Sequence, residues 1–448
     1  VHLSALLEFD AVPLDTRDAV SLLIDITAPT REEDRERPAS TLQIVLDRSG
    51  SMAGDRLAGA VRALLGLIDR LAPTDNFGLV SFDSRAGVEI PCGPLSDKAA
   101  ARRAVSALRP GGATDLSSGL LRGIQEARRA GGDRGATLLL VSDGHANQGI
   151  TDHDSLRRVA ADAYAHGVST ATLGYGLGYD EALLGAISEG GTGSALFAED
   201  PDTAVGLISQ EAEYLLAKSA QAVSLRVPAG EHLASVEVIG EMPSHRLPDG
   251  SVVVELGDFH SGEERRLLLR LEVPGASSLG ATTVTVVEVT YVDPATLTTR
   301  TALLPVTVDV VPGTEASGRV PSPEVRTEEA LQKAQSAKRE AARALRRGER
   351  ERAAHLLGRA RQLLEEAPDS APNSPEAAAQ AAELRRMEQM ARTGDASRAA
   401  KTAYSSQAGY TRMRGRYGQQ SAQWQGPQEL SNPETGRDRS RPDGRERR

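Results

Sequence analysis

The chain has 448 residues, 40% hydrophobic, 25% charged and 3% aromatic, with a formal net charge of −10. This length allows about two to four domains, and the near-average composition excludes a collagen-like, fully disordered or disulfide-scaffold chain. The acidic balance argues against nucleic-acid binding, which needs a basic stripe, and the lone cysteine, Cys92, excludes an intramolecular disulfide.

No apolar stretch reaches the roughly 18 residues that a membrane-spanning helix needs. The opening VHLSALLEFDAVPLD lacks a basic start, an uninterrupted apolar core and a small-residue cleavage site, so it does not read as a secretory signal. The expectation is a cytoplasmic, multidomain protein without membrane contact.

Residues 1–40 hold two strand-like runs, Leu3–Phe9 and Ala19–Thr27, then a charged loop, REEDRERPAS. From Thr41 the pattern changes. TLQIVL and ATLLLV are short continuous apolar runs that suit strands buried on both faces, and FGLVSF, VSTATLG and SALFA are further strands. Helical periods lie between them at about 55–71, 98–108, 117–130, 154–166, 180–188 and 202–217, so residues 41–217 read as a doubly wound α/β domain. VEI, just after FGLVSFD, reads as an antiparallel edge hairpin.

Residues 218–312 become β-rich, with six strands broken by Pro-Asp-Gly, Ser-Gly and Asp-Pro turns, which predicts a β-sandwich. A two-stranded hairpin alone is marginal, so residues 1–28 are expected to pair with 220–312, inserting the α/β domain into the sandwich. Pro312–Pro323 is a linker. Residues 324–395 read as a small helical bundle or hairpin, with Ala342, Leu345, Ala353, Leu356, Leu357, Ala360 and Leu363 facing inward and Asn373–Ser374–Pro375 starting a third helix. It can be a cap packed on the sandwich or a peptide-binding surface. Residues 396–448 read as a mostly disordered basic tail, since from Lys401 there are ten Lys or Arg against five Asp or Glu. Tyr404, Tyr410, Tyr417 and Trp424 interleave there with Arg412, Arg414 and Arg416, a pattern also able to bind single-stranded nucleic acid or acidic partners.

The first α/β strand runs into Asp47–Arg48–Ser49–Gly50–Ser51–Met52, which sets three oxygen side chains at the carboxyl end of the sheet, where open α/β sheets bind ligands. Alternate spacing turns Asp47, Ser49 and Ser51 in a common direction, and Gly50 and Gly54 let the backbone bend. One carboxylate with two hydroxyls is a hard-oxygen set suited to Mg²⁺ or Mn²⁺. Gly111–Gly112–Ala113–Thr114–Asp115 and Ser142–Asp143–Gly144 are loops at the same rim, so Asp47, Ser49, Ser51, Thr114 and Asp143 would converge on one point.

Asp-x-Ser-x-Ser, a Thr in a second loop and an Asp in a third resemble a von Willebrand factor type A (VWA) domain with a metal-ion-dependent adhesion site. VLDRSGSM, FGLVSFD, GGATDLSSGL and LLLVSDG match the family's elements in order over about residues 41–217. The surrounding sandwich resembles, more distantly, the β-domain of bacterial multidomain relatives. The resemblance implies a Rossmann-like VWA fold and a binding mechanism: Asp47 the charged anchor, Ser49 and Ser51 direct ligands, Thr114 direct or water-bridged, Asp143 through water or outside the ligand shell. One coordination position would remain for a partner's Asp or Glu carboxylate. The family also accompanies AAA+ machines, so a separate ATPase is a further partner class; this chain has no ATP site of its own.

Other features fit ordinary roles. Asp115 can hold a ligating water or cap the next helix; Asp83 suits a turn; Asp152 and Asp154 suit a helix cap. His145, His153 and His166 lack metal-ligand spacing, and GYGLGYDE lacks the GK[ST] ending of a phosphate loop. An enzyme is the competing class. An aspartyl-phosphate phosphotransferase would want a carboxylate where Ser49 stands, and no Walker-type loop, zinc motif or nucleophile elbow occurs. The chain is therefore expected to be a non-enzymatic, metal-dependent adaptor, with an assembly scaffold acting through its helices and tail as the alternative.

Overall fold

The computed structural model describes residues 1–30, 39–143, 146–240, 242–368 and 371–412. The α/β unit is a six-stranded sheet in the order Ala86–Pro94, Asn76–Phe82, Thr41–Asp47, Ala136–Ser142, Val168–Tyr175, Thr192–Ala198. All neighbours are parallel except the antiparallel edge strand Ala86–Pro94. Every residue of Thr41–Asp47 and Ala136–Ser142 is buried, because helices cover both faces of these central strands.

Side chains alternate between the two cores. Leu42, Ile44 and Leu46 face the helices Asp55–Arg70, Lys98–Ser106 and Pro201–Leu216. Val45 faces Leu116–Gly131, His153–Ala165 and Glu181–Gly190. The helix Leu116–Gly131 lies very close to the sheet because glycines recur at helical spacing on its inner face. A Cβ on Gly119 would sit 2.5 Å from Phe82 Cδ1, and one on Gly123 would sit 2.2 Å from Val45 Cγ2. This close approach holds the loop before the helix against the sheet's carboxyl rim.

The sandwich has a four-stranded sheet, ordered His2–Leu7, Asp18–Thr27, Glu264–Val273, Ser235–Ile239. It faces a six-stranded sheet, ordered Ser244–Arg246, Val252–His260, Lys218–Val227, Gly280–Asp293, Thr298–Val311, Ala11–Pro13. The strand Asp18–Thr27 alternates as a strand between two apolar layers must. Val20, Leu22, Ile24 and Ile26 enter the sandwich core, while Leu23 joins Leu268 and Val325 under the helical region. Four fully buried aliphatic side chains at about 1.5–3 kcal/mol each contribute at most roughly 6–12 kcal/mol toward holding this N-terminal strand beside one from residues about 240 positions later. Two short strands were not legible in the sequence. Ala11–Pro13 pairs in parallel with the end of Thr298–Val311, and Ser244–Arg246 is wholly exposed, so neither has an apolar alternation to reveal it.

The α/β unit joins the sandwich through a buried polar cluster. Tyr214 donates to Glu263 Oε2 at 2.6 Å and its ring lies 3.9 Å from that of His260. Arg265 pairs with Glu263, and Lys218 pairs with Asp258.

A one-turn helix, Gly313–Ala316, lies in the linker, and four longer helices follow among the described residues: Pro323–Arg346, Arg350–Glu365, Ser374–Thr393 and Ala396–Arg412. They share one core; the first rests on the four-stranded sheet, where Ser21 donates to Glu329 at 2.7 Å, and the last packs on the α/β unit, where Lys401 pairs with Glu181. Two expectations are corrected. Residues 396–412 are a helix rather than disordered tail, because Ala399, Ala400, Ala403 and Tyr410 are buried against the neighbouring helices. Leu363 is 41% exposed and Leu364 fills the core position instead. The remainder of the basic tail, with Arg414, Arg416, Tyr417 and Trp424, lies outside the described residues. Among the described residues no helix is long and apolar enough to cross a membrane.

Candidate metal centre

Asp47 ends the central strand, in register with Phe82 on one side, and its neighbour strand ends one position beyond at Ser142. The turn after Asp47 is tied to the next loops by backbone bonds: Arg48 N–H to Phe82 carbonyl at 2.9 Å, Gly111 N–H to Arg48 carbonyl at 2.8 Å, Gly50 N–H to Gly112 carbonyl at 3.1 Å. Gly111 lies close to the Asp83 carboxylate: a Cβ there would be 2.6 Å from Oδ2, so that side chain would have to move.

Four of the five residues singled out in the sequence are linked by hydrogen bonds through their side-chain oxygens and the Ser49 amide. Asp47 Oδ1 accepts the Ser49 backbone N–H at 2.8 Å, Ser49 and Ser51 hydroxyls lie 3.1 Å apart, and Ser51 Oγ donates to Asp143 Oδ1 at 2.7 Å. Thr114 arrives with its loop. Its N–H donates to Asn147 Oδ1 at 2.9 Å, its carbonyl accepts from the N–H groups of Asn147 and Gln148, and the residue is buried.

Two carboxylates at the end of a buried strand are costly unless compensated. Burial pushes the Asp47 carboxyl above its usual range; the hydrogen bonds from Ser142 and Ser49 act against that shift. Ser142 Oγ donates to Asp47 Oδ2 at 2.6 Å, so both oxygens of Asp47 are oriented by neighbours. Arg56, at the second position of its helix, pairs with Asp143 Oδ2 and reaches the Ser51 carbonyl at 3.3 Å.

The donor set suits a hard divalent cation. The side chains of Asp47, Ser49, Ser51 and Asp143 supply oxygens, beside the Arg56 guanidinium, and for metal–oxygen distances of roughly 2.0–2.1 Å neighbouring octahedral ligands stand about 2.9 Å apart. The 3.1 Å between Ser49 and Ser51 hydroxyls is close to that edge. Among the described residues no group of three His, Cys, Asp or Glu side chains is placed to hold a metal, so a cation here depends on the serine and threonine hydroxyls.

The other features resolve simply. Asp115 caps the helix Leu116–Gly131, accepting from the Ser118 N–H at 3.0 Å and Ser117 Oγ at 2.7 Å. Asp83 is a turn residue paired with Arg48 at 3.0 Å, and Asp152 caps the helix His153–Ala165. His153 and His166 are surface residues beside Asp180 and Asp162; His145 and Gly144 lie outside the described residues. Cys92 is buried on the edge strand. In GYGLGYDE, Gly176 has φ +77° and makes the turn after the strand Val168–Tyr175.

Sequence reasoning missed Arg56 and Ser142. Arg56 looks like any basic residue on a helix surface, and Ser142 lies beside Asp143, whose spacing took the attention. A polar residue as the last position of a fully buried strand was the available signal for Ser142.

The von Willebrand factor type A domain family matches residues 42–210. An uncharacterized protein of Synechocystis sp. is 31% identical over 303 residues, covering 64% of this chain and 70% of that protein. The uncharacterized protein YfbK of Escherichia coli is 28% identical over 225 residues; the chain covers 39% of its length. In the solved structure of a von Willebrand factor type A protein from Catenulispora acidiphila the same fold recurs, with TM-score 0.67, 19% identity and coverage of 86% of this chain and 89% of that one.

Proposed function

The chain belongs to the von Willebrand factor type A domain family, and from that premise we propose that it is a metal-dependent protein-binding module of the cytoplasm, without enzymatic activity. Domains of this family commonly mediate protein–protein interaction. In this reading Ser49, Ser51 and Thr114 hold Mg²⁺ or Mn²⁺, with Asp47 and Asp143 close around it, and the bound ion supplies Lewis acidity toward an incoming carboxylate. The observation that supports it is the hydrogen-bonded path from Asp47 through the Ser49 amide, and from the Ser49 hydroxyl through Ser51 to Asp143.

The protein's own groups perform three tasks. The Ser49 amide and the Ser142 hydroxyl keep Asp47 aimed at the sheet rim and oppose the upward push of burial on its carboxyl. The two serine hydroxyls are neutral, so they offer ligating oxygens without cancelling the ion's charge. A carboxylate in place of either hydroxyl would make the loaded rim more negative, so the neutral pair favours an incoming Asp or Glu of a partner.

Calorimetric titration with Mn²⁺ tests the first half: wild type should bind one equivalent and Asp47→Ala none. Affinity purification in Mg²⁺, in EDTA and with Asp47→Ala tests the second. A partner retained in all three samples would move the function to the helical region. Point variants on the exposed helix faces would test that alternative better than deletion of residues 324–448, because those helices pack on the sandwich and on the α/β unit.

A further inference from the structure

Arg56 is built into the rim more firmly than a surface arginine needs to be. Its Nη1 hydrogen-bonds Asp143 Oδ2, whose side chain has no solvent exposure, and also reaches the Ser51 carbonyl at 3.3 Å. Its guanidinium carbon lies 6.0 Å from the centroid of the Tyr175 ring. Beyond that ring, Gly176 at φ +77° leaves the space it uses: a Cβ there would be 3.1 Å from Nη2 and 3.3 Å from Cζ. The other Asp143 oxygen is taken by Ser51, so both are satisfied by the chain itself. The Arg56 side chain as a whole remains 38% exposed.

We propose that Arg56 is the resident counter-ion of the metal site: it holds Asp143 when no divalent ion is bound, competes with that ion for the carboxylate, and so sets the cation affinity. The inference rests on the reading of the rim as a metal site. Formal charges give the logic. Asp47 and Asp143 together carry −2, so with Arg56 the rim stands at −1 before loading and at +1 with a divalent cation. Without Arg56 the corresponding values are −2 and 0. Arg56 therefore opposes loading, and once the ion is in place it adds to the positive field that an acidic partner meets. A guanidinium suits this role because it remains charged at every physiological pH and offers forked donors to a carboxylate.

The test is Mn²⁺ binding by calorimetry and by the paramagnetic resonance of free Mn²⁺, on wild type, Arg56→Gln and Arg56→Lys. Arg56→Gln keeps a donor for Asp143 and loses the charge; it should bind Mn²⁺ about tenfold more tightly, roughly the effect of 1.4 kcal/mol. Arg56→Lys keeps the charge and should stay within about threefold of wild type. Thermal melts give an independent readout. Arg56→Gln should melt below wild type in EDTA and recover in saturating Mn²⁺, whereas a merely structural ion pair would cost stability equally in both. Equal or weaker Mn²⁺ binding by Arg56→Gln, with wild type binding normally, overturns this role and leaves the metal site standing. Absence of Mn²⁺ binding by wild type and both variants overturns the metal site and the role together. Should Arg56→Gln fail to fold, Arg56→Lys decides: affinity raised about tenfold with the charge retained overturns the charge argument, and wild-type-like affinity upholds it.

Discussion

Lys401 and Glu181 are 220 residues apart in the chain and meet as a buried ion pair, with Nζ 2.8 Å from Oε2. The same ammonium donates to the Tyr179 carbonyl at 2.7 Å and sits 4.3 Å from the centroid of the Tyr179 ring. The pair fastens the helix Ala396–Arg412 to the first turn of Glu181–Gly190, just after the loop that contains Gly176 and accommodates Arg56. The helical region and the candidate metal rim thus share a wall.

Removing one member of a buried pair strands the other, typically at a cost of about 3–5 kcal/mol. Lys401→Met should therefore lower the urea midpoint by the equivalent of about 3 kcal/mol, the low end because Arg346 lies 3.9 Å from Glu181. The double variant Lys401→Met, Glu181→Leu should regain much of that loss. An unchanged midpoint for the single variant would refute the buried pairing.

Glu263 gives a pH dependence. Burial alone would raise its carboxyl, but the Arg265 charge and the hydrogen bonds from His260 and Tyr214 outweigh it and bring it from an ordinary 4.5 to about 2. A depressed acid contributes stability that is fully present above the unfolded value and is lost as pH falls through the folded one. The stability advantage of wild type over Glu263→Gln should thus shrink between about pH 5 and pH 2, by on the order of 3 kcal/mol. A difference independent of pH in that window would contradict the assignment.

Burial pushes the Cys92 thiol up to about 12, against the opposing charge of Arg129. At pH 8 the native protein should therefore not react with a disulfide reagent, while the urea-unfolded chain should react with one equivalent. Rapid labelling of the native state would show that the edge strand Ala86–Pro94 opens readily.

Two glycines make a paired packing test. Gly123→Ala places a methyl 2.2 Å from Val45 Cγ2 and should destabilise by about 1–3 kcal/mol despite alanine's better helix propensity. Gly66, inside Asp55–Arg70 with nothing within 4 Å of its Cβ position, should gain about 0.5–1 kcal/mol on the same change. Equal responses at the two sites would mean that Leu116–Gly131 does not lie as close to the sheet as described.

Divalent metal should stabilise the fold by mass action. At about a hundredfold excess over Kd, Mg²⁺ or Mn²⁺ should add roughly 2.7 kcal/mol to wild type and nothing to Asp47→Ala, read from melts with and without EDTA. A matching gain in Asp47→Ala would place any binding elsewhere.

The amino-acid sequence by itself determined the α/β layer and the place of its rim. TLQIVL and ATLLLV are mostly apolar, Thr41, Gln43 and Thr137 excepted, because helices bury both faces of those strands, and the sheet ends at Asp47 and Ser142. The oxygen residues of the rim were legible because they stand at the carboxyl ends of those strands, where open α/β sheets bind ligands. Tertiary structure alone decided the partners of those residues. Arg56 reaches Asp143 and Ser142 reaches Asp47 across 87 and 95 residues, distances over which no local pattern operates. It also decided the fate of Ala396–Arg412. That helix is held by alanines and by Lys401 and Ser406, whose buried polar atoms are stable only because Glu181 and Lys338 are waiting for them. A segment whose burial depends on such matched polar groups reads as a solvated tail until its partners are in place.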